Sequence, residues 1–320
     1  MKQATEAVVK QEKRESRFVR EFKRDWQLHL LLLIPSIWLI IFKYWPLYGL
    51  QIAFRNYKAK KGIWGSEWVG LKWFKKFLTN YKFLGIMKNT LIISLYSMIT
   101  HFVLAVFLAL IVNAIRNEKF KKFTQTVIYL PHFISLVILV AMMNQIFNPV
   151  SGLYGTLFRL FGGEGYPKDF RALASTFRNL YVWSGVWQQL GWETIIYVAA
   201  LSGVSKDLHE AAMIDGASRW KRVLHVDFPT LLPTACIMLI MKAGSIMSVG
   251  YEKIYLMQSQ LNLSTSEVIS TYVYKTAIGT GMDFSYGAAI GLFNSVIDVI
   301  LLIIVNKITN YLSSGENGLF

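Results

Sequence analysis

The chain has 320 residues, 54% of them apolar and 17% charged, with a formal net charge of +15 and a mean hydropathy of +0.38. Windows of about 20 apolar residues recur along it, each long enough to cross a hydrocarbon core of roughly 30 Å, and this excludes an ordinary soluble domain. Backbone amides inside lipid must satisfy one another, so the windows read as helices and the fold class as all-α, a polytopic transmembrane bundle. A single cysteine, Cys236, excludes an internal disulfide and supplies no metal-ligand spacing.

Residues 1–27 are polar and charged and read as a cytoplasmic tail, mixing Lys10, Lys13, Arg14 and Arg17 with Glu12, Glu15 and Glu21. They do not look like a cleavable signal, because the first apolar run leads into Lys43-Tyr44-Trp45-Pro46 rather than a small-residue cleavage site. Six spans are expected within a membrane domain over 28–310: Leu28–Leu50, Thr90–Ile115, Phe123–Phe147 interrupted by Pro131, Leu180–Gly203, Leu231–Gly250 and Phe284–Ile308. Residues 311–320 then form a second tail on the same side. Ten Trp and sixteen Tyr suit aromatic belts at the two interfaces.

Of the five loops, 117–122 is short and basic, 204–230 is polar and helix-prone, and 51–88, 148–179 and 251–283 are long. In the last, Ser264 followed three residues later by Glu267 has the pattern of a capping box and predicts a short helix. The side holding both termini would carry seventeen basic and eleven acidic residues, against fifteen and six opposite. The basic counts are nearly equal, so charge bias hardly decides orientation.

Loop four, 204–230, carries more information. Glu210-Ala211-Ala212-Met213-Ile214-Asp215-Gly216-Ala217 leads to Phe228-Pro229 and Pro233. Ser205 or Asp207 can cap a first helix, Leu208, Ala211 and Ala212 share one face, and Gly216 allows the left-handed turn that ends it. A second short helix through Trp220 and Val223 would return to the bilayer before Pro229. Periodicity alone leaves an ordinary surface turn equally open.

The residue pattern resembles the EAA loop of ABC importer permeases: Glu-Ala-Ala, three residues, Gly, and a downstream Pro. Further segments resemble the polysaccharide-type, maltose-permease-like branch of carbohydrate permeases: Pro131-His132-Phe133-Ile134-Ser135, Gly191-Trp192-Glu193-Thr194-Ile195-Ile196-Tyr197, Tyr251-Glu252-Lys253-Ile254-Tyr255, Val268–Tyr274 and Gly291-Leu292-Phe293-Asn294-Ser295. His209 departs from that branch, which usually has an aromatic there, as does Glu193, where a neutral polar residue is commoner. The resemblance implies the type I importer permease fold in the cell inner membrane. It makes loop four the cytoplasmic coupling helix, with Glu210, Ala211, Ala212, Asp215, Gly216 and Ala217 contacting the ATPase. It also implies a second homologous permease, an ABC ATPase dimer that binds ATP and Mg, and an extracytoplasmic solute-binding protein. The chain itself needs no cofactor and is no enzyme.

His209-Glu210-Ala211-Ala212-Met213 begins like a zinc-protease helix, but Met213 stands where the second His must be. No phosphate-cradling Gly-rich loop ends in Gly-Lys-Ser/Thr. The basic excess is spread over loops, which suits phospholipid headgroups better than nucleic acid.

Ionisable residues inside spans are costly and ask for a reason. Glu193, Lys242 and Asp298 lie deep in apolar sequence; Glu193 and Lys242 can pair across spans four and five, or contact substrate. Trp183, Trp187, Gln188, Gln189 and Trp192 supply aromatic faces and amides of the kind a sugar needs, and Asn144, Gln145 and Asn294 are of the same type. The alternative for them is helix packing and the interfacial belt. Gly287 and Gly291 form a small-xxx-small pair for close helix packing. The outer face would carry a net +9, nine of its basic residues in loop one. A positive entrance concentrates anions, so the expected cargo is an acidic oligosaccharide such as an alginate- or pectin-like uronate oligomer. The rival reading is an ion-coupled secondary transporter with Glu193 and Asp298 as relay; a membrane-embedded enzyme lacks any convergent catalytic cluster.

Overall fold

The computed structural model describes residues 24–279 and 281–312, which leaves most of both expected tails outside the described residues. The chain divides after Ile52 into two compact units. The first contains α1 (Trp26–Leu39), which widens over Ile40–Tyr44 and then tightens over Trp45–Phe54. Pro46 lies at that change of winding, where its missing N–H removes a ladder bond. α1 is apolar on every side and has no buried residue, as suits a helix solvated by lipid.

The second unit opens with a hairpin in loop one, unforeseen in the sequence. β1 (Arg55–Lys58) pairs antiparallel with β2 (Gly62–Trp68), Arg55 opposite Trp68. Helix α2 (Lys72–Leu78) drives Trp73 and Phe77 into a core shared with Ile86, Met247, Tyr272, Tyr286 and Ile290. Loops one and five are thereby held together as one packed cap.

Then come α3 (Phe83–Asn113), α4 (Glu118–Tyr129), α5 (Leu136–Ile146), α6 (Leu153–Leu160) and α7 (Ala174–Leu201). Asn117 caps α4 by accepting from the Lys119 and Phe120 amides. α4, with its short continuation to Phe133, and α5 are bent by 94° relative to each other, so the third expected span is two helices with the break just after Pro131. Between α6 and α7, Arg171 grips Asp169 at 2.7 Å and the Asn144 carbonyl at 3.0 Å. The guanidinium holds the Asp169 carboxyl below the usual carboxylate range.

After α7 lie α8 (Lys206–Ile214), α9 (Arg219–Arg222) and α10 (Phe228–Ala243), then three short helices, α11 (Tyr251–Met257), α12 (Leu263–Ser266) and α13 (Ile269–Val273), and finally α14 (Phe284–Leu312). Among the described residues, four stretches are long and apolar enough to span a membrane: Trp26–Phe54, Phe83–Asn113, Arg219–Ala243 and Phe284–Tyr311. The bent pair makes up to five. The remaining expected span, α7, has 28 residues, about 42 Å of helix, but carries Arg178, Gln188, Gln189 and Glu193.

Several expectations are corrected. The fifth span ends at Ala243, seven residues short of Gly250, because the Asp298 carboxylate takes the Met247 amide at 2.8 Å and fixes a non-helical turn there. α9 does not stop before Pro229; it runs through a wide turn at Val223–Asp227 into α10, with Pro229 in the first turn where a proline is tolerated. The Ser264–Glu267 capping box does not form: α12 starts at Leu263, and Glu267 turns to Lys82 at 3.2 Å and Lys275 at 3.6 Å. Short helices do form on either side of Glu267. Of the expected glycine pair, Gly287 packs on Ala277 while Gly291 faces open space.

Below the cap, Ala105, Ala109 and Val112 of α3 meet Tyr197, Val198 and Leu201 of α7 and Leu231 and Ala235 of α10. Small side chains let these helices approach closely. Gly191 lets α7 lie against α4, since a Cβ there would overlap the Ile128 carbonyl. Gly191→Ala is therefore expected to lower the thermal midpoint of the detergent-solubilised chain, with a cost of about 1–3 kcal/mol, as for other overpacked cores. Unchanged melting would show that α4 yields freely.

Candidate functional site

Three helices build a polar cavity inside this apolar bundle. On α3, Ser94, Ser97 and His101 are spaced three and four residues apart and so share one face. Tyr181 and Glu193 come from α7, Lys242 from the end of α10, and Ser245 and Ser248 from the turn after it; together they line a space of about 210 Å³. Glu193 Oε1 lies 3.0 Å from Lys242 Nζ, and Oε2 lies 3.1 Å from His101 Nδ1. One carboxylate thus bridges cationic or donor groups on two other helices. A charge withdrawn from water demands such compensation, so the pairing across spans four and five that the sequence allowed does form.

Two groups at this cavity are incompletely satisfied by the protein. The Ser94 hydroxyl is buried without a hydrogen-bond partner. Lys253, 5% exposed, lies beside Tyr181, donates to its backbone carbonyl at 2.8 Å and sits over its ring at 4.8 Å, with no carboxylate in ion-pair range among the described residues. Gly185 makes room for this arrangement, for a Cβ there would stand 3.2 Å from both His101 Nε2 and Lys253 Nζ.

The sugar-type residues proposed from the sequence are not brought to one place. Glu193 lines the cavity. Gln188 is buried and donates to the Ile134 carbonyl at 2.6 Å, while Gln189 Oε1 meets His132 Nδ1 at 2.8 Å. Trp192 stacks flat on His132, centroids 4.2 Å apart. These three side chains hold the break between α4 and α5. Trp187 lines an apolar groove with Leu139, Met142 and Met143, and Trp183 donates to the Tyr96 hydroxyl. Asn144 is exposed, its carbonyl used by Arg171, and Asn294 Oδ1 is buried without a partner elsewhere on α14. His101, Ser94, Ser97 and Lys253 were missed. The face formed by Ser94, Ser97 and His101 was the signal available for three of them.

The second feature is the α8 segment. The Ser205 hydroxyl caps it, accepting from the Asp207 amide at 3.2 Å. At its end Gly216 adopts φ +73°, with Gly216 N–H bonded to the Met213 carbonyl and Ala217 N–H to the Ala212 carbonyl. That pair of bonds is a Schellman ending, which glycine permits. Glu210, Ala211, Asp215 and Gly216 are exposed, Ala212 and Ala217 half-buried, and no residue of α8 is buried. Ile214 is 87% and Leu208 54% exposed, an apolar surface that water does not favour. His209 Nε2 meets Asp227 Oδ1 at 3.2 Å, and Asn113 of α3 donates to the same oxygen at 3.3 Å.

A multi-span bundle with an exposed, capped helix–turn–helix between two spans defines a membrane transport subunit rather than a soluble binding module. Residues 101–310 match the family described as binding-protein-dependent transport system inner membrane component, and the chain belongs to that family. It is 37% identical over 318 residues to the polygalacturonan/rhamnogalacturonan transport system permease protein YteP of Bacillus subtilis, covering 99% of this chain and 97% of that one. Protein LplB of the same organism is 38% identical over 298 residues, covering 93% and 92%. A chain in a crystal structure of a bacterial ABC transporter that imports the acidic polysaccharide alginate superposes with a TM-score of 0.83 at 31% identity, covering 92% of this chain and 99% of that one. A chain in the alginate transporter complexed with a pentasaccharide-bound periplasmic protein gives the same score and identity, covering 94% and 99%.

The central ion pair makes a direct prediction. Glu193→Gln or Lys242→Met leaves the partner charge without its counterion. Each is expected to cost about 2 kcal/mol, below the 3–5 of a fully buried pair because both side chains keep some exposure. Exchanging the two (E193K with K242E) is expected to regain stability relative to either E193K or K242E alone in detergent melts. Failure of the exchange to do so would mean that Glu193 depends on His101 rather than Lys242.

Proposed function

We propose that this chain is a permease subunit of an ATP-driven importer of acidic oligosaccharides, of the uronate type found in pectin and alginate. The observation that carries this is near full-length likeness to one permease named for polygalacturonan/rhamnogalacturonan and to a transporter of alginate. The basic excess of the long loops fits an acidic cargo, since a positive entrance raises the local concentration of anions. In this reading both termini are cytoplasmic, and the chain pairs with a second permease to enclose the pathway. A solute-binding protein delivers sugar to the cap of loops one, three and five.

Within the chain, the pathway runs past the cavity at Glu193. Its serine hydroxyls, above all the unpartnered Ser94, are matched to sugar hydroxyls, while Lys242 adds a positive charge and His101 a ring nitrogen beside Glu193. Gln188, Gln189 and Trp192 shape the pathway wall through the broken span. The exposed α8 surface, with Glu210, Ala211, Ala212, Asp215, Gly216 and Ala217, docks on an ATPase dimer that binds ATP and Mg. Nucleotide-driven closure of that dimer biases the bundle between outward- and inward-facing states, a shift in a two-state population.

The test is uptake into vesicles carrying the chain with its co-purified partners. Uptake is expected to require ATP, to survive an ionophore and to prefer uronate oligomers over neutral ones of equal length. Preference for neutral oligomers would overturn the acidic cargo, and collapse by ionophore alone would overturn ATP coupling. Gly216→Pro, which can neither reach φ +73° nor donate to Met213, is expected to abolish recovery of the ATPase with the tagged chain.

A further inference from the structure

α8 is weakly anchored for a helix that has to transmit force. None of its residues is buried. Among the described residues of α8, His209 makes the one side-chain polar link to the spans, its Nε2 lying 3.2 Å from Asp227 Oδ1. Asp227 is 3% exposed and closes the wide turn at Val223–Asp227, from which α10 runs into the bundle. The same carboxylate oxygen accepts from Asn113 Nδ2, on the last residue of α3, at 3.3 Å. A single buried oxygen therefore joins α8, α3 and α10. The wide turn is an irregularity of a kind that helices adopt to redirect a side chain, and here it includes the residue that makes the joint.

Loosening this joint is costly. A buried carboxylate stripped of its donors loses far more than an exposed one, because the low-dielectric surroundings offer no replacement. The joint therefore stays closed while α8 is displaced, and the displacement is carried to two spans at once. Both of those spans contribute to the Glu193 cavity, α3 through His101 and α10 through Lys242.

We infer that Asp227, gripping His209 and Asn113, is the strut that transmits movement of α8 to α3 and α10, with His209 as its positioning residue. This rests on the reading of α8 as the ATPase-docking helix. The experiment uses the complete purified complex in proteoliposomes and reads ATP hydrolysed per oligosaccharide imported, with the amount of bound ATPase measured alongside. His209→Phe and Asp227→Leu, which remove the donor and the acceptor, are expected to raise that ratio roughly three- to tenfold, the factor that loss of one hydrogen bond is worth, with the ATPase still bound. His209→Gln, which keeps a donor, is expected to stay near the wild-type ratio. The double variant H209F/D227L is expected to be no worse than the worse single one, as for residues acting through each other.

An unchanged ratio in both single variants would overturn the strut, and so would singles whose effects multiply in the double variant. Should Asp227→Leu not assemble, the Phe and Gln variants of His209 decide the matter alone: equal ratios for the two overturn it. Absence of the ATPase from the wild-type preparation would instead sink the docking role of α8, a separate failure.

Discussion

Glu193 is a carboxylate placed where water cannot solvate it freely, and the bundle is arranged around that fact. Its two oxygens are taken by Lys242 from α10 and His101 from α3, so the three helices share one axial register. Apolar packing between helices tolerates sliding, because one alanine or leucine face is much like the next turn. A bidentate charge contact does not, since a shift of one residue along either helix would leave a charge unpaired at a cost of kilocalories. The small-residue core of Ala105, Ala109, Leu231 and Ala235 gives closeness, and the charged knot gives position.

The same economy of polar groups appears wherever the backbone departs from helix inside the bundle. Carbonyls and amides freed by a break must find partners that lipid cannot provide. At the break between α4 and α5 Gln188 serves the Ile134 carbonyl, with Gln189 and Trp192 holding His132 beside it. At the end of α10, Asp298 serves the Met247 amide and takes the Ser248 hydroxyl. Polar residues that in sequence resemble a sugar-binding set are thus partly the supports of helix breaks.

What could be read from the sequence was whatever depends on neighbours a few residues away. The Pro131 break, the Ser205 cap and the Gly216 turn are all local and lie where the pattern put them, whereas the apolar windows placed the long helices without fixing all of their ends. The end of α10 was not legible, because Ser245 to Gly250 remain largely apolar and the stop is imposed by Asp298, distant in sequence. Glu267 reads as the partner of Ser264 only if loop one is ignored; in the fold Lys82 competes for it and wins. His101 vanished into its apolar window although Ser94 and Ser97 marked the face it shares. The loop-one hairpin depends on Arg55, which stacks between Trp64 and Trp68 at 5.5 Å from each ring, a contact that no periodicity announces.

These placements also weigh the rival mechanism. A secondary transporter needs acids that exchange a proton or cation with the pathway, and Glu193 and Asp298 were its candidates. Asp298 is occupied by a backbone amide whose loss would unmake the turn after α10, so releasing it for ion traffic carries a structural cost. Glu193 is held from both sides, and loading a cation there means displacing Lys242. Neither acid is poised for a reversible exchange, whereas α8 is exposed and ends in a rigid turn, as the proposed docking of an ATPase requires. Driving force supplied from outside the bundle suits a core whose charges are already committed to one another. In the proposed importer, two arrangements of the bundle would differ in how helices tilt about the Glu193 knot, with no acid left bare at any stage.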